Sequence, residues 1–132
     1  MGICLPSRYN HGLFLGDDIN SSRANYNWYG LGNTGNDSKQ TVNIGQFTAN
    51  PWGFFDMHGN VLEWTADWLK SSYHADNPIV DPTGPTSGSA RVQRGGCWAN
   101  NEGLLRSANR TNNPPYHSAN TKGFRVGFQK SQ

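Results

Sequence analysis

The sequence has no long hydrophobic run. Nothing approaches the roughly 20 consecutive apolar residues of a bilayer-spanning helix, so no membrane insertion is expected. No signal-peptide pattern follows Met1, which leaves the compartment open. Charge is scarce as well: Asp, Glu, Lys and Arg make up 15% of the chain, with a formal net charge of +2. There is no Lys/Arg block and no basic stripe, so a nucleic-acid partner is not expected. Cysteine is nearly absent, with only Cys4 and Cys97. The two could pair, but the expected state is two reduced, partly buried thiols. Helical periodicity is also missing, because no window sustains apolar residues at i, i+3, i+4 and i+7 between caps. A short turn near Ser21 to Tyr26 is the best helix candidate.

Aromatic residues, glycine and turn formers are plentiful. Aromatics make up 12% of the chain, against 34% hydrophobic residues in all, so a core must lean on large rings. Strand-like runs are short: Thr41 to Phe47, Gly53 to Asp56, Val61 to Trp68, Arg91 to Gly95, Leu104 to Arg110 and Gly123 to Phe128. Alternation predicts that Val92, Phe124, Val126 and Phe128 point inward with Trp64 and Trp68. Turn-rich stretches lie between these runs, as in Asn77 to Ala90 and Thr111 to Lys122. They alternate with aromatic anchors, which favours ordered loops. No repeat and no break in composition divides the chain, so residues 1–132 read as one domain. The expected class is α+β with little helix: a small twisted antiparallel sheet with long ordered loops.

General catalytic patterns are absent. His11, His58, His74 and His117 have no metal-ligand spacing. There is no G-x-S-x-G elbow and no phosphate loop. Asp17 and Asp18 read as a solvated turn.

Several segments, taken in order, carry a resemblance. Residues 50–64 read NPWGFFDMHGNVLEW, residues 81–88 DPTGPTSG and residues 91–98 RVQRGGCW. LRSANR follows at 105–110 and KGFRV at 122–126, with RANYN at 23–27 as a weaker upstream match. The set resembles the C-terminal half of formylglycine-generating-enzyme (sulfatase-modifying-factor) domains. That resemblance implies a C-type-lectin-like fold. Family domains usually carry a long N-terminal portion after a Leu-Pro-Thr motif, whereas Leu5-Pro6-Ser7 stands almost at the start here. The chain therefore reads as a compact variant or a fragment.

The resemblance bears on catalysis and on metals. Family oxidases are expected to hold copper with two cysteines placed just after the Gly-Gly-Ser-aromatic motif, since soft thiolates suit Cu(I). In this chain the stretch after Trp98 contains no cysteine, and Cys97 stands at the usual serine position. Neither copper nor oxidase activity is expected. The family also implies calcium, a hard cation that takes 6–8 oxygens at about 2.3–2.6 Å. The ligands carried over are the Asp56 and Glu63 side chains with the Gly59 and Val61 carbonyls. A second implied site would use Asn25, the Tyr26 carbonyl and Asp37.

Residues 99–121 are rich in asparagine: Asn100, Asn101, Asn109, Asn112, Asn113 and Asn120. Their place between RGGCW and KGFRV resembles the variable proteins of diversity-generating retroelements, which use this fold and randomise codons at adenines. Randomised Asn codons cannot yield Lys, Glu, Gln, Met or Trp. From Trp98 to Lys122 the only residues of those types are Trp98, Glu102 and Lys122. The segment is thus expected to display ligand contacts. At its start these are Ala99, Asn100, Asn101, Gly103 and Leu104. In the middle they are Thr111, Asn112 and Asn113, and at the end Tyr116, His117, Ala119, Asn120 and Thr121. Leu105, Arg106, Arg110 and Arg125 are expected beneath them as a frame. The leading expectation is a variable protein that binds a protein or surface ligand. The rivals are a formylglycine-generating-enzyme-like oxidase or its non-catalytic truncated relative, and a structural subunit.

Overall fold

The computed structural model describes residues 19–27, 38–70 and 84–127. Their regular structure is nearly all sheet. Strands β1 (Leu62–Trp68), β2 (Arg91–Arg94), β3 (Thr111–Asn113) and β4 (Lys122–Gly123) form one sheet in the order β3-β2-β1-β4. A single 3₁₀ turn, Glu102–Leu104, is the one helical element among the described residues. The β1–β2 and β2–β3 pairs are antiparallel, whereas β1 and β4 run parallel.

β1 carries Thr65 with the aromatic Trp64 and Trp68, and β2 carries β-branched Val92, residues that suit a strand. Trp64 pairs with Gln93 and Trp68 with Arg91, so β1 advances four residues while β2 advances two. Such a bulge bends a strand and raises its twist. The Thr65 hydroxyl donates to the Val92 carbonyl across it at 3.1 Å.

The interior is small and partly polar. Ile19, Ala24, Tyr26 and Leu105 form the apolar cluster, and the Tyr26 hydroxyl donates to the Ile19 carbonyl at 3.0 Å. Beside it lie buried Asn25, Asn60 and Gln93. Asn60 has a left-handed backbone (φ 62°) that suits Asn. Its amide group works like a strand edge, accepting from the Val42 N–H at 3.0 Å and donating to the Val42 carbonyl at 3.2 Å. Two glycines have no substitute. A Cβ on Gly59 would lie 2.2 Å from the Asn25 carbonyl oxygen, where the chains form a parallel bridge. A Cβ on Gly96 (φ +73°) would press on Leu105 at 3.0 Å.

Several expected elements differ. Residues 41–47 and 53–56 form no strand, and residues 21–23 make one turn rather than a helix. Residues 104–110 pass through the 3₁₀ turn and further turns, with pairing resumed only at Thr111. Val92 is buried as expected, but Phe124 and Val126 are 77% and 63% exposed. β4 ends at Gly123, so there is no longer strand to press these side chains on the core. The residue between them, Arg125, points to Glu63 instead. Trp64 and Trp68 are half-buried, each beneath a cation: Lys122 lies 5.7 Å from the Trp64 ring and Arg91 3.7 Å from the Trp68 ring. Phe128 lies outside the described residues.

Candidate functional site

The segment 99–121 leaves the sheet at the end of RGGCW and returns to it at β4, and its two ends meet. The Trp98 N–H donates to the Asn60 carbonyl at 3.0 Å, and the Leu62 N–H to the Thr121 carbonyl at 2.8 Å. The Trp98 indole N–H donates to the Asn120 carbonyl at 3.3 Å. Between the ends, β3 fixes the middle of the segment on β2. Short turns fix the rest, with backbone bonds such as Leu105 N–H to Glu102 and His117 N–H to Pro114.

On this fixed path the thirteen expected contact positions all keep some exposure. Ala99, Asn101, Gly103, Leu104, Asn112, Tyr116, His117, Ala119 and Asn120 are exposed; Asn100, Thr111, Asn113 and Thr121 are intermediate. Tyr116 is 87% exposed. Leu105 is fully buried beneath them.

The asparagines divide into two groups. Asn100 accepts from the Cys97 N–H at 3.0 Å and lies 3.3 Å from its thiol, and its own carbonyl accepts from the Asn27 N–H. Asn109 donates its side-chain amide to the Leu104 carbonyl at 2.8 Å, and the Asn113 side-chain amide donates to the buried Gln93 side-chain oxygen Oε1 at 2.9 Å. These three brace the loop. Asn101, Asn112 and Asn120 have no side-chain hydrogen bond among the described residues.

The expected arginine frame differs from the one observed. Arg106 and Arg110 are exposed rather than underneath. Arg125 is an exposed ion-pair partner. The arginine that braces the segment is Arg94 on β2, which donates to the Ala108 and Asn109 carbonyls at 3.2 and 2.7 Å. Burial lowers its pKa, as does the nearby charge of Arg110, while Asp67 acts in the opposite sense. Its motif position was visible in RVQRGG, but nothing in the spacing marks which loop carbonyls it reaches.

One concavity opens on this surface. A hollow of about 180 Å³ is lined by Leu62, Asn100, Leu104, Asn109, Arg110 and Thr111. Three of the six are expected contact positions.

The 56–63 loop lies against the segment's base. His58, buried, donates its Nδ1–H to the Leu105 carbonyl at 2.7 Å. Burial lowers the His58 pKa, and the Leu105 bond offsets this in part. Burial raises the pKa of the Cys97 thiol, which is 2% exposed, against backbone hydrogen bonds from Ala99 and Asn100 that lower it. Among the described residues Cys97 forms no disulfide; Cys4 lies outside them.

Of the implied calcium ligands, Asp56 has one oxygen accepting from the Gly45 N–H at 2.6 Å. Its other oxygen, Oδ1, is buried without a hydrogen-bond partner. Glu63 receives Arg125 on both oxygens, at 2.6 to 3.1 Å, and the same guanidinium donates to the Asp56 carbonyl at 3.3 Å. Asp56 thus offers an oxygen to a cation, whereas Glu63 would share its carboxylate with Arg125. No group of three or more His, Cys, Asp or Glu is placed for a metal among the described residues. For the second implied site, the Asn25 side chain is held by Ser38, Gln40 and Asn60. Asp37 lies outside the described residues.

The sulfatase-modifying factor enzyme 1-like domain model matches residues 7–129. The chain belongs to this family. Within the family it is 37% identical over 112 residues to the serine/threonine-protein kinase pkn1 of Chlamydia caviae, covering 83% of this chain and 16% of that protein. It is 38% identical over 105 residues to the mouse formylglycine-generating enzyme, covering 74% of this chain and 28% of the enzyme. Among solved structures it is similar to Treponema denticola variable protein 1, with 37% identity and a TM-score of 0.61 over 76% of this chain and 34% of that one. PvdO from Pseudomonas aeruginosa matches with 30% identity and a TM-score of 0.64, over 79% of this chain and 38% of that one. This sulfatase-modifying-factor chain therefore spans well under half of each of these relatives. No helix among its described residues is long and apolar enough to cross a membrane.

Proposed function

We propose that this chain is a ligand-binding variable protein with a C-type-lectin-like scaffold, and that residues 99–121 are its display surface. The carrying observation is that the thirteen contact positions keep exposed or half-exposed side chains on a backbone tied at both ends. A position that must accept many residue types cannot sit in a close-packed core, where one methylene is felt. A fixed backbone also avoids the cost of ordering a loop on binding, about 0.5–1.5 kcal/mol per immobilised long side chain. Exposed Tyr116, Asn101 and Asn112 in one segment supply the chemistry of a paratope, with an aromatic anchor and adaptable amides. The likeness to Treponema denticola variable protein 1 supports the reading.

The test is a melting series. Replacing Asn101, Asn112, Tyr116, His117 and Asn120 together should leave the melting temperature nearly unchanged, since exposed substitutions usually stay within about 0.5 kcal/mol each. Unfolding of that combined variant would contradict the display reading.

The oxidase reading lacks its chemistry. Residues 99–121 contain no cysteine, so the paired thiolates for copper are missing from the expected place. No oxidation of a sulfatase-type cysteine peptide is expected, with or without copper. Turnover that is lost in Cys97→Ser would reverse that assignment.

Structural calcium at the 56–63 loop is part of the same proposal. Asp56 Oδ1 would be its first donor, with the Gly59 and Val61 carbonyls and a Glu63 carboxylate shared with Arg125. A carboxylate has about four lone-pair sites, so sharing is chemically allowed.

A further inference from the structure

The hollow that opens on the proposed display surface has a mixed wall. Leu62, Asn109 and Arg110 belong to the scaffold motifs, Leu104 and Thr111 are display positions, and Asn100 is a variable-segment residue whose side chain braces the loop at Cys97. The scaffold half is held in place. Leu62 is on β1, paired with Lys122 of β4. Asn109 is pinned through its carbonyl by Arg94 and through its amide to Leu104. One side chain of the wall, Arg110, carries a charge, and Leu62 and Leu104 give the apolar surface.

Size limits what can enter. At about 180 Å³, the hollow is well below the roughly 300–1,000 Å³ of cofactor and drug-sized sites. It suits one side chain of a larger partner. Charge sets the sign. Residues 98–127 contain Arg106, Arg110, Lys122 and Arg125 against Glu102 alone. Arg125 is taken by Glu63, and Arg94, which donates to the Asn109 carbonyl, adds a charge that Asp67 partly offsets. A guanidinium has five N–H donors in a planar fork, so contacts within the protein do not exhaust it, and the fork matches a carboxylate in two-point geometry.

We propose that the hollow receives an acidic side chain of a partner protein, with a glutamate's aliphatic stem against Leu62 and Leu104 and its carboxylate on Arg110. The inference rests on the display-surface reading but narrows it. The scaffold supplies a constant acidic-residue socket, and the surrounding variable positions set which acidic protein is held.

The experiment uses the full chain, labelled for amide NMR, and three small probes. N-acetyl-glutamate N-methylamide should shift the Leu62 and Thr111 amides saturably. The glutamine analogue should bind at least about tenfold more weakly, as a charge-assisted bond is replaced by a neutral one. Acetate, which lacks the stem, should be weaker by a similar factor. Arg110→Gln should abolish the discrimination between the glutamate and glutamine probes in a chain that still unfolds cooperatively. Arg110→Lys, which keeps the charge without the fork, should retain part of it. Equal binding of glutamate and glutamine probes overturns the proposal. So does unaltered binding in Arg110→Gln, acetate binding as tight as glutamate, or no saturable shift with any probe. If the five-residue combined variant unfolds while the glutamate probe binds the unsubstituted chain, the display reading fails and the socket stands. If that variant folds normally and the probe does not bind, only the socket fails.

Discussion

At the residue scale, asparagine serves two purposes within one short segment. Asn100 and Asn113 were expected as displayed contacts, yet their side chains cap the Cys97 backbone and satisfy buried Gln93. Removing a partner from a buried polar group costs about 1–3 kcal/mol. Asn113→Ala should therefore destabilise far more than Asn112→Ala, its exposed neighbour, and paired melts would measure the difference. Composition could not separate the two, because the same side chain in the same segment is either spent or free according to what lies across the sheet. His58 makes a pH prediction. Its folded pKa is lowered by burial below the unfolded value of 6.5, so the unfolded chain binds more protons between the two values. Stability contributed by neutral His58 is present above about pH 6.5 and is lost as pH falls toward the folded pKa, with a slope of up to about 1.4 kcal/mol per pH unit. Melts from pH 8 to pH 5 should show the decline, and His58→Gln should flatten it. An unchanged slope in that variant would remove His58 from the account.

At the scale of elements, the sequence marked the central strands well. Val61 to Trp68 and Arg91 to Gly95 were expected as strands and appear as β1 and β2 within a residue or so. The tryptophans of β1 and Val92 of β2 suit a partly buried pleated surface, a signal local enough to read. The edge elements were not legible. Gly123 to Phe128 alternates, but pairing ends at Gly123 and Arg125 is drawn to Glu63, 62 residues earlier, and Phe124 and Val126 are left outside. Such a long-range partner leaves no periodic trace. The same ion pair sets the terms for calcium. If calcium binds Asp56 and Glu63, millimolar calcium should raise the melting temperature over that in excess chelator, since a ligand of the folded state adds RT ln(1 + [L]/Kd). Glu63→Gln should abolish the difference. Identical melting in calcium and chelator would leave the loop to Arg125 alone.

At the scale of the whole molecule, the ordered motifs carried the family, and the match over residues 7–129 agrees with them. The expected scaffold of sparse helix and ordered loops corresponds to the sheet and turns of the described residues. The position of the candidate surface was also legible, because asparagine enrichment falls between two scaffold motifs. The hollow was not, since it needs Leu62 from β1 beside residues some 40 to 50 positions later in the chain.

The last feature is the way the surface segment closes. Thr121 is hydrogen-bonded to Leu62, and Trp98 to Asn60 and Asn120, so both ends arrive already tethered at one corner of the sheet. Beyond β3, residues 114–121 form an eight-residue link whose ends are held independently of its contents. In polymer terms it is a loop with anchored ends, and the entropy of closing such a loop grows only with the logarithm of its length. Four Gly/Ser residues inserted between Ser118 and Ala119 should cost about 0.4 kcal/mol by that law, a shift of only a few degrees in melting temperature. A large loss of stability would mean that the sequence of the link, and not only its anchors, supports the fold. With a small loss, the corner acts as a clasp, able to carry surfaces that differ in length as well as in composition.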